Sequence, residues 1–192
     1  MHLLLFLHPD DHFLDANKID AIICAELPES NLQQSRELFE IIKTVMVHRP
    51  CGDINIHVPC MQTVNGTTSC SKRFPKAFQE ETILQEDGYP LYRRRNNGQS
   101  FTTQVRTHIG MQTFTFNNQY VVPYNPYLSW RYKAHINVEV CASVQAIKYI
   151  HKYIYKGSDR TTIQLSFEND EVNKYFFFFW IYIYVTNSIL SR

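Results

Sequence analysis

The cleanest alternation of apolar and polar positions runs from Ala134 to Val140, AHINVEV. Ile136, Val138 and Val140 fall to one side and His135, Asn137 and Glu139 to the other, which predicts a half-buried strand. Near the start, HLLLFL (His2 to Leu7) is apolar almost throughout and reads as a short buried strand, followed by the polar loop HPDDHFLD. Ile19, Ile22 and Ile23 keep helical spacing in a short helix that Pro28 closes off. A second helix opens with a capping box, Ser30 with Gln33, and carries Leu38, Ile41, Ile42, Val45 and Met46 on one face. A third, capped by Ser143, extends from Val144 to Lys156 with Val144, Ile147, Ile150 and Ile154 in one stripe.

Elsewhere the pattern is irregular. From His48 to about Phe78 periodicity disappears, and Pro50, Gly52, Pro59, Gly66 and three cysteines share a stretch too poor in apolar residues to hold itself by packing. YPLYRRRNNGQSFTTQV reads as a hairpin with Asn97-Gly98 at its turn. NNQYVVPYNPYLSWRY reads as an extended, proline-punctuated passage. The longest apolar run, Tyr175 to Val185, has 11 residues. A membrane-spanning helix needs roughly 20, so no membrane association is expected.

Composition adds bounds. The 192 residues suffice for one sizeable core, and 44% hydrophobic with 19% charged residues describe a folded chain. A net charge of +1 gives no whole-molecule pull toward nucleic acid, so any such attraction is local. The cysteines number five, and Met1 is followed at once by HLLLFL without a basic leader. A reducing compartment is expected, with thiols free or metal-bound.

Three groups of residues carry candidate chemistry. In VHRPCGDINIHVPCMQTVNGTTSC, His48, Cys51, Cys60 and Cys70 are separated by two, eight and nine residues. Three cysteines and one histidine make an ordinary tetrahedral structural zinc set, with His57 as an alternative nitrogen ligand; three unrelated loop thiols are the plainer reading. SKRFPK offers Lys72, Arg73 and Lys76 around Phe74, and YRRR offers Arg93, Arg94 and Arg95 beside Tyr92. Either cluster can hold phosphates and stack bases, or serve simply as a solvated face. Finally, Tyr149 and Tyr153 lie at i and i+4, sharing a helix side with Gln145, Lys152 and Lys156. They are either amphipathic surface tyrosines or paired nucleophiles. A phenol with a pKa of ~10 attacks at neutral pH only if neighbouring cations favour its phenolate.

Nine stretches, in order, resemble the Helitron helicase-like N-terminal domain of rolling-circle transposases over about residues 1–160. They are HLLLFLHPDD, IDAIICAELPE, MVHRPCG, PCM, CSKRFPK, DGYPLYRRR, YVVPYNPYL, HINVEVC and AIKYIHKYIYKGSDR. The resemblance implies an α+β fold of the His-hydrophobic-His nuclease type, an antiparallel sheet flanked by helices, interrupted by the Cys/His-rich insertion. Core segments 1–47 and 81–165 then surround an insertion at 48–80, ahead of a divergent apolar tail at 166–192.

The activity implied is metal-dependent, tyrosine-mediated nicking and joining of single-stranded DNA in the nucleus, with Mg²⁺ or Mn²⁺ at the reacting phosphate and Zn²⁺ as a structural ion. Tyr149 and Tyr153 match the tyrosine pair, Lys152 and Lys156 stabilise phenolate or phosphate, and His2 matches the second metal histidine. His135 and Glu139 are candidates to complete that site. The first histidine of the motif would precede Met1, so an N-terminally truncated, impaired nuclease is expected. A non-catalytic single-strand-binding remnant or pseudogene product is the alternative. The chain contains no Gly-x-x-x-x-Gly-Lys-Ser/Thr loop, so the helicase half and ATP hydrolysis are expected to be absent. The run FFFFWIYIYVTNSILSR departs from the resemblance and is expected to form an exposed, aggregation-prone apolar patch.

Overall fold

The computed structural model describes residues 2–7, 15–29, 33–85, 89–141 and 180–186. Over these the chain is α+β, with three short α-helices and small antiparallel sheets. The tyrosine helix expected at 144–156, the Ser30 cap and the segment joining Cys141 to Trp180 lie outside the described residues.

The central sheet has three strands in the order β1 (His2–Phe6), β7 (Trp180–Thr186), β6 (His135–Cys141), all antiparallel. β6 forms as its alternation predicts: Ile136, Val138 and Val140 are buried, whereas His135, Asn137 and Glu139 are half-buried on the other face. Its outer edge is satisfied by tertiary contacts, Val138 N–H to Pro123 O at 3.1 Å and Val140 N–H to Tyr92 Oη at 2.8 Å. β1 sits at the opposite edge, and Leu3 and Leu5, which share one of its faces, are more than a third exposed. β7 comes from the apolar run expected to lie on the surface. Residues 180–186 are instead the middle strand, with Ile183 only 8% exposed. An alternation of apolar and aromatic residues there fits a position paired on both edges.

Helix α1 (Ala16–Ile22) starts where the Asp15 side chain accepts from the Asn17 N–H. It stops before Pro28, because Cys24 exchanges backbone hydrogen bonds with Tyr124 at 2.8 and 2.9 Å and pulls the chain extended. Helix α2 (Gln33–Val45) delivers Ile42 and, one residue past its end, Met46 into full burial, as its apolar face requires. The passage expected to be extended contains a 3₁₀ turn (Asn118–Tyr120) and helix α3 (Pro126–Tyr132). Pro126 begins that helix where a missing N–H costs nothing, and Asn125 caps it by accepting from Leu128 N–H at 2.9 Å.

The long hairpin pairs β4 (Ser100–Thr107) with β5 (Gly110–Asn117) around His108 and Ile109, not around Asn97-Gly98. Asn97 is engaged elsewhere, its side chain accepting from Gln99 N–H and from the buried Asn118 amide. Among the described residues two apolar clusters result. One joins Ile19, Ile23 and Tyr92 to the sheet through Ile136, Val138, Val140 and Ile183; the other joins Leu27, Ile42, Met46, Val121 and Tyr124. Neither draws a residue from the stretch between Val47 and Gln79.

Candidate metal centre

That stretch is organised differently. His48 leaves α2 with its N–H on Tyr120 O at 2.8 Å, and Gly52, at φ +75°, turns the chain directly after Cys51. Cys60 and Cys70 stand at the foot of a small hairpin, β2 (Met61–Val64) against β3 (Thr67–Cys70), closed by Asn65 and Gly66 at φ 51° and 79°. Two consecutive positive-φ residues make the turn that matches strand twist, and Asn-Gly is its usual pair. The Asn-Gly signal was therefore present at 65–66, although the hairpin expected from sequence was at 97–98.

The four side chains meet. His48 Nε2 lies 3.6 Å from Cys51 Sγ and 3.5 Å from Cys70 Sγ, and all four ligand atoms lie within 4.8 Å of one another. With Zn–N near 2.0–2.1 Å and Zn–S near 2.3 Å, a tetrahedral ion sets its nitrogen–sulfur edges at about 3.6 Å. The two measured edges fit that value, so the cluster can hold a metal ion such as zinc. His57, the alternative ligand, is exposed and outside this group, its ring set edge-on to His108 at 6.0 Å.

The surroundings prepare the donors. The His48 ring stacks on Phe74, centroids 4.3 Å apart and planes 11° from parallel, which fixes its rotation. Burial, then the charges of Lys76 and Lys72, hold its pKa below the usual histidine value and favour the neutral, ligating imidazole. Cys51 is pushed up to about 12 by burial and by the adjoining Cys70 and Cys60 thiols. Cys60 is raised too, chiefly by burial. Burial works against the Cys70 thiolate as well, but backbone N–H groups of Phe74 and Lys72 donate to its sulfur and bring its pKa below the ordinary value. Three thiols crowded together resist losing three protons, and a dication reverses that balance.

The basic clusters divide. Lys72 and Arg73 are exposed beside Cys70, whereas Lys76 is half-buried with its ammonium 5.1 Å from the Phe74 ring centroid. Arg94 is turned inward: it is 4% exposed and its Nη1 donates to Ala25 O, Asn118 O and Val121 O at 3.3, 2.7 and 2.5 Å. Burial brings its pKa down to about 10, still charged at neutral pH. Arg93 and Arg95 are tied to acids, Arg93 to Asp20 at 3.1 Å and Arg95 to Glu26 at 2.7 Å. A run of arginines looks solvated in sequence, but a buried Glu26 and three inward-facing carbonyls claim these.

On the polar face of β6, His135 Nδ1 donates to Val45 O at 2.6 Å, leaving Nε2 for another partner. Asn137 Nδ2 donates to Glu139 Oε1 at 2.9 Å, and Asn137 Oδ1 is buried without a partner. Among the described residues neither His135 nor Glu139 joins a group of three or more metal-capable side chains. His2 occupies the first position of β1, opposite Tyr184, which in turn is opposite Asn137. Tyr149, Lys152, Tyr153 and Lys156 lie outside the described residues.

No protein-family model and no curated protein matches this chain. No helix among the described residues is long and apolar enough to cross a membrane.

Proposed function

We propose that the chain is a Helitron-type transposase nuclease segment, descended from an enzyme that nicks and joins single-stranded DNA in the nucleus. The observation that carries this reading concerns three of the nine resembling stretches. MVHRPCG, PCM and CSKRFPK supply His48, Cys51, Cys60 and Cys70, which gather into one ligand cluster. Unrelated loop thiols have no reason to converge. The structural ion is then Zn²⁺, holding a module that the apolar cores do not hold.

In the reaction, a phenolate oxygen of Tyr149 or Tyr153 attacks the scissile phosphorus. The bond from phosphorus to the 3′ oxygen of the upstream nucleotide breaks, and that oxygen takes a proton to become a free 3′-hydroxyl. A 5′-phosphotyrosine remains. Lys152 and Lys156 favour the phenolate and the phosphate charge. A divalent cation, Mg²⁺ or Mn²⁺, supplies polarisation of the phosphate when bound. His2 is its proposed ligand, with His135 Nε2 and Glu139 as candidate companions.

The test is incubation of the protein with a labelled single-stranded oligonucleotide and Mn²⁺. A covalent adduct that survives denaturation, is blocked by chelation and is lost in Tyr149→Phe or Tyr153→Phe supports the reading. Salt-sensitive retention without an adduct refutes retained strand cleavage in favour of a non-catalytic binder. That second reading is favoured by the exposed Lys72 and Arg73.

A further inference from the structure

The β2–β3 hairpin differs from every other described strand pair in being solvated on both faces. Only Met61 and Cys70, at its foot, are even partly buried. A two-stranded ribbon with no core beneath it is marginal by itself. This one is tethered below by the ligand cluster and stiffened across by a Thr63–Thr68 hydroxyl hydrogen bond of 2.8 Å.

The register separates its faces. Met61 pairs with Cys70 and Thr63 with Thr68, so these four share the face turned toward the metal cluster, where Met61 Sδ accepts from Gly52 N–H at 3.3 Å. Gln62 pairs with Ser69 and Val64 with Thr67 on the opposite face, and all four are exposed, Val64 at 62%.

That outer face is uncharged and rich in hydrogen-bonding groups, with one branched apolar side chain near the turn. The charge lies at the foot, where Lys72 and Arg73 are exposed. No acidic residue occurs between Asp53 and Glu80, in a chain whose net charge is only +1. Cations beside a neutral, donor-and-acceptor face match a polyanion whose informative groups are recessed between its charges. That is the layout of a DNA duplex: phosphates on the rims, base edges in the groove. A two-stranded ribbon fits the major groove, which is about 12 Å wide, and a four-residue strand reaches about 14 Å.

We propose that the β2–β3 ribbon enters the major groove of duplex DNA. Gln62 and Ser69 address base edges, Val64 contacts a thymine methyl group, and Lys72 and Arg73 anchor the flanking phosphates. A glutamine side chain pairs two-pronged with adenine, and a branched apolar group suits thymine. The proposal rests on the nucleic-acid reading above for its class of partner only. It concerns duplex binding, not strand cleavage.

The experiment uses the full chain loaded with Zn²⁺ and a fluorescent pool of random-sequence duplexes, with single strands of the same pool in parallel. Duplex binding is expected to weaken linearly on a log–log salt plot, and Lys72→Ala or Arg73→Ala should each reduce the slope by about 1. Selection from the pool should enrich A·T-containing sites. Gln62→Ala should flatten that preference and lower affinity for the selected site about 5- to 100-fold while leaving the salt slope unchanged. Zinc content measured on each variant establishes that the module is intact. Binding of single strands but not duplexes, or an unchanged sequence preference in zinc-loaded Gln62→Ala, overturns the proposal. Duplex binding without a covalent adduct leaves it standing while the nuclease reading falls.

Discussion

In protein loaded with Zn²⁺, chelation is expected to release residues 48–76 while the two apolar cores stay folded. The magnitude follows from what else holds the segment. Neither core cluster includes a residue between Val47 and Gln79, and the β2–β3 strands are only four residues each. A hairpin of that size has about zero stability alone, so with a structural zinc bound its ordering free energy would come mostly from the metal, about 10–16 kcal/mol. Even with free metal at only 100 times its dissociation constant, linkage supplies about 2.7 kcal/mol, or ~100-fold protection.

Hydrogen exchange reads this directly. The Ser71 and Arg73 amides, bonded to Cys60 O at 2.7 Å and Cys70 O at 2.8 Å, should exchange at least ~100-fold faster after chelation. The Tyr124 and Val140 amides, bonded to Cys24 O and Tyr92 Oη, should change by less than about 3-fold. Trypsin should cut at Lys72 and Arg73 only in the stripped protein. Equal protection of Ser71 with and without metal, or simultaneous loss at Val140, would refute a metal-held module set on an independently stable core.

Three further outcomes are expected. Arg94→Ala strands three buried carbonyls and should cost about 3–5 kcal/mol in urea unfolding. Tyr92→Phe leaves the Val140 N–H without its partner on the outer edge of β6 and should cost about 1–3 kcal/mol by the same measurement. Burial acts to raise the Glu26 pKa, but hydrogen bonds from the Arg95 side chain and backbone, with the Arg95 and Arg93 charges, hold it below the ordinary 4.5. The unfolded chain therefore binds the proton first, so this contribution is intact above the unfolded value and lost as pH falls through the folded one. Unfolding titrations from about pH 6 to about pH 3 should show stability falling in the wild type, with a shallower fall in Glu26→Gln.

Sequence legibility followed the physics of each segment. β6 was readable because one of its faces is buried and the other is not, so burial is written as a period of two in AHINVEV. The ligand set was readable because three thiols and an imidazole recur in a stretch too poor in apolar residues to hold itself by packing. Helix α3 was obscured by Pro123 and Pro126, which mark an extended passage and a helix start with the same letter; only the Asn125 cap separates the two. The end of α1 was not legible at all, since the Cys24–Tyr124 bridge that stops it depends on a residue far along the chain. The fate of the arginines was hidden for the same reason. Nothing near Arg94 in sequence announces the carbonyls of Ala25, Asn118 and Val121.

The strand order β1-β7-β6 has a consequence for how the molecule is made. His2 is paired with Tyr184, so β1 must wait for β7, which is made far later along the chain. Until then its leucines and the apolar side of β6 have no strand between them. Closing so long a loop is slow, and during synthesis the gap in the sheet is open to any other extended segment.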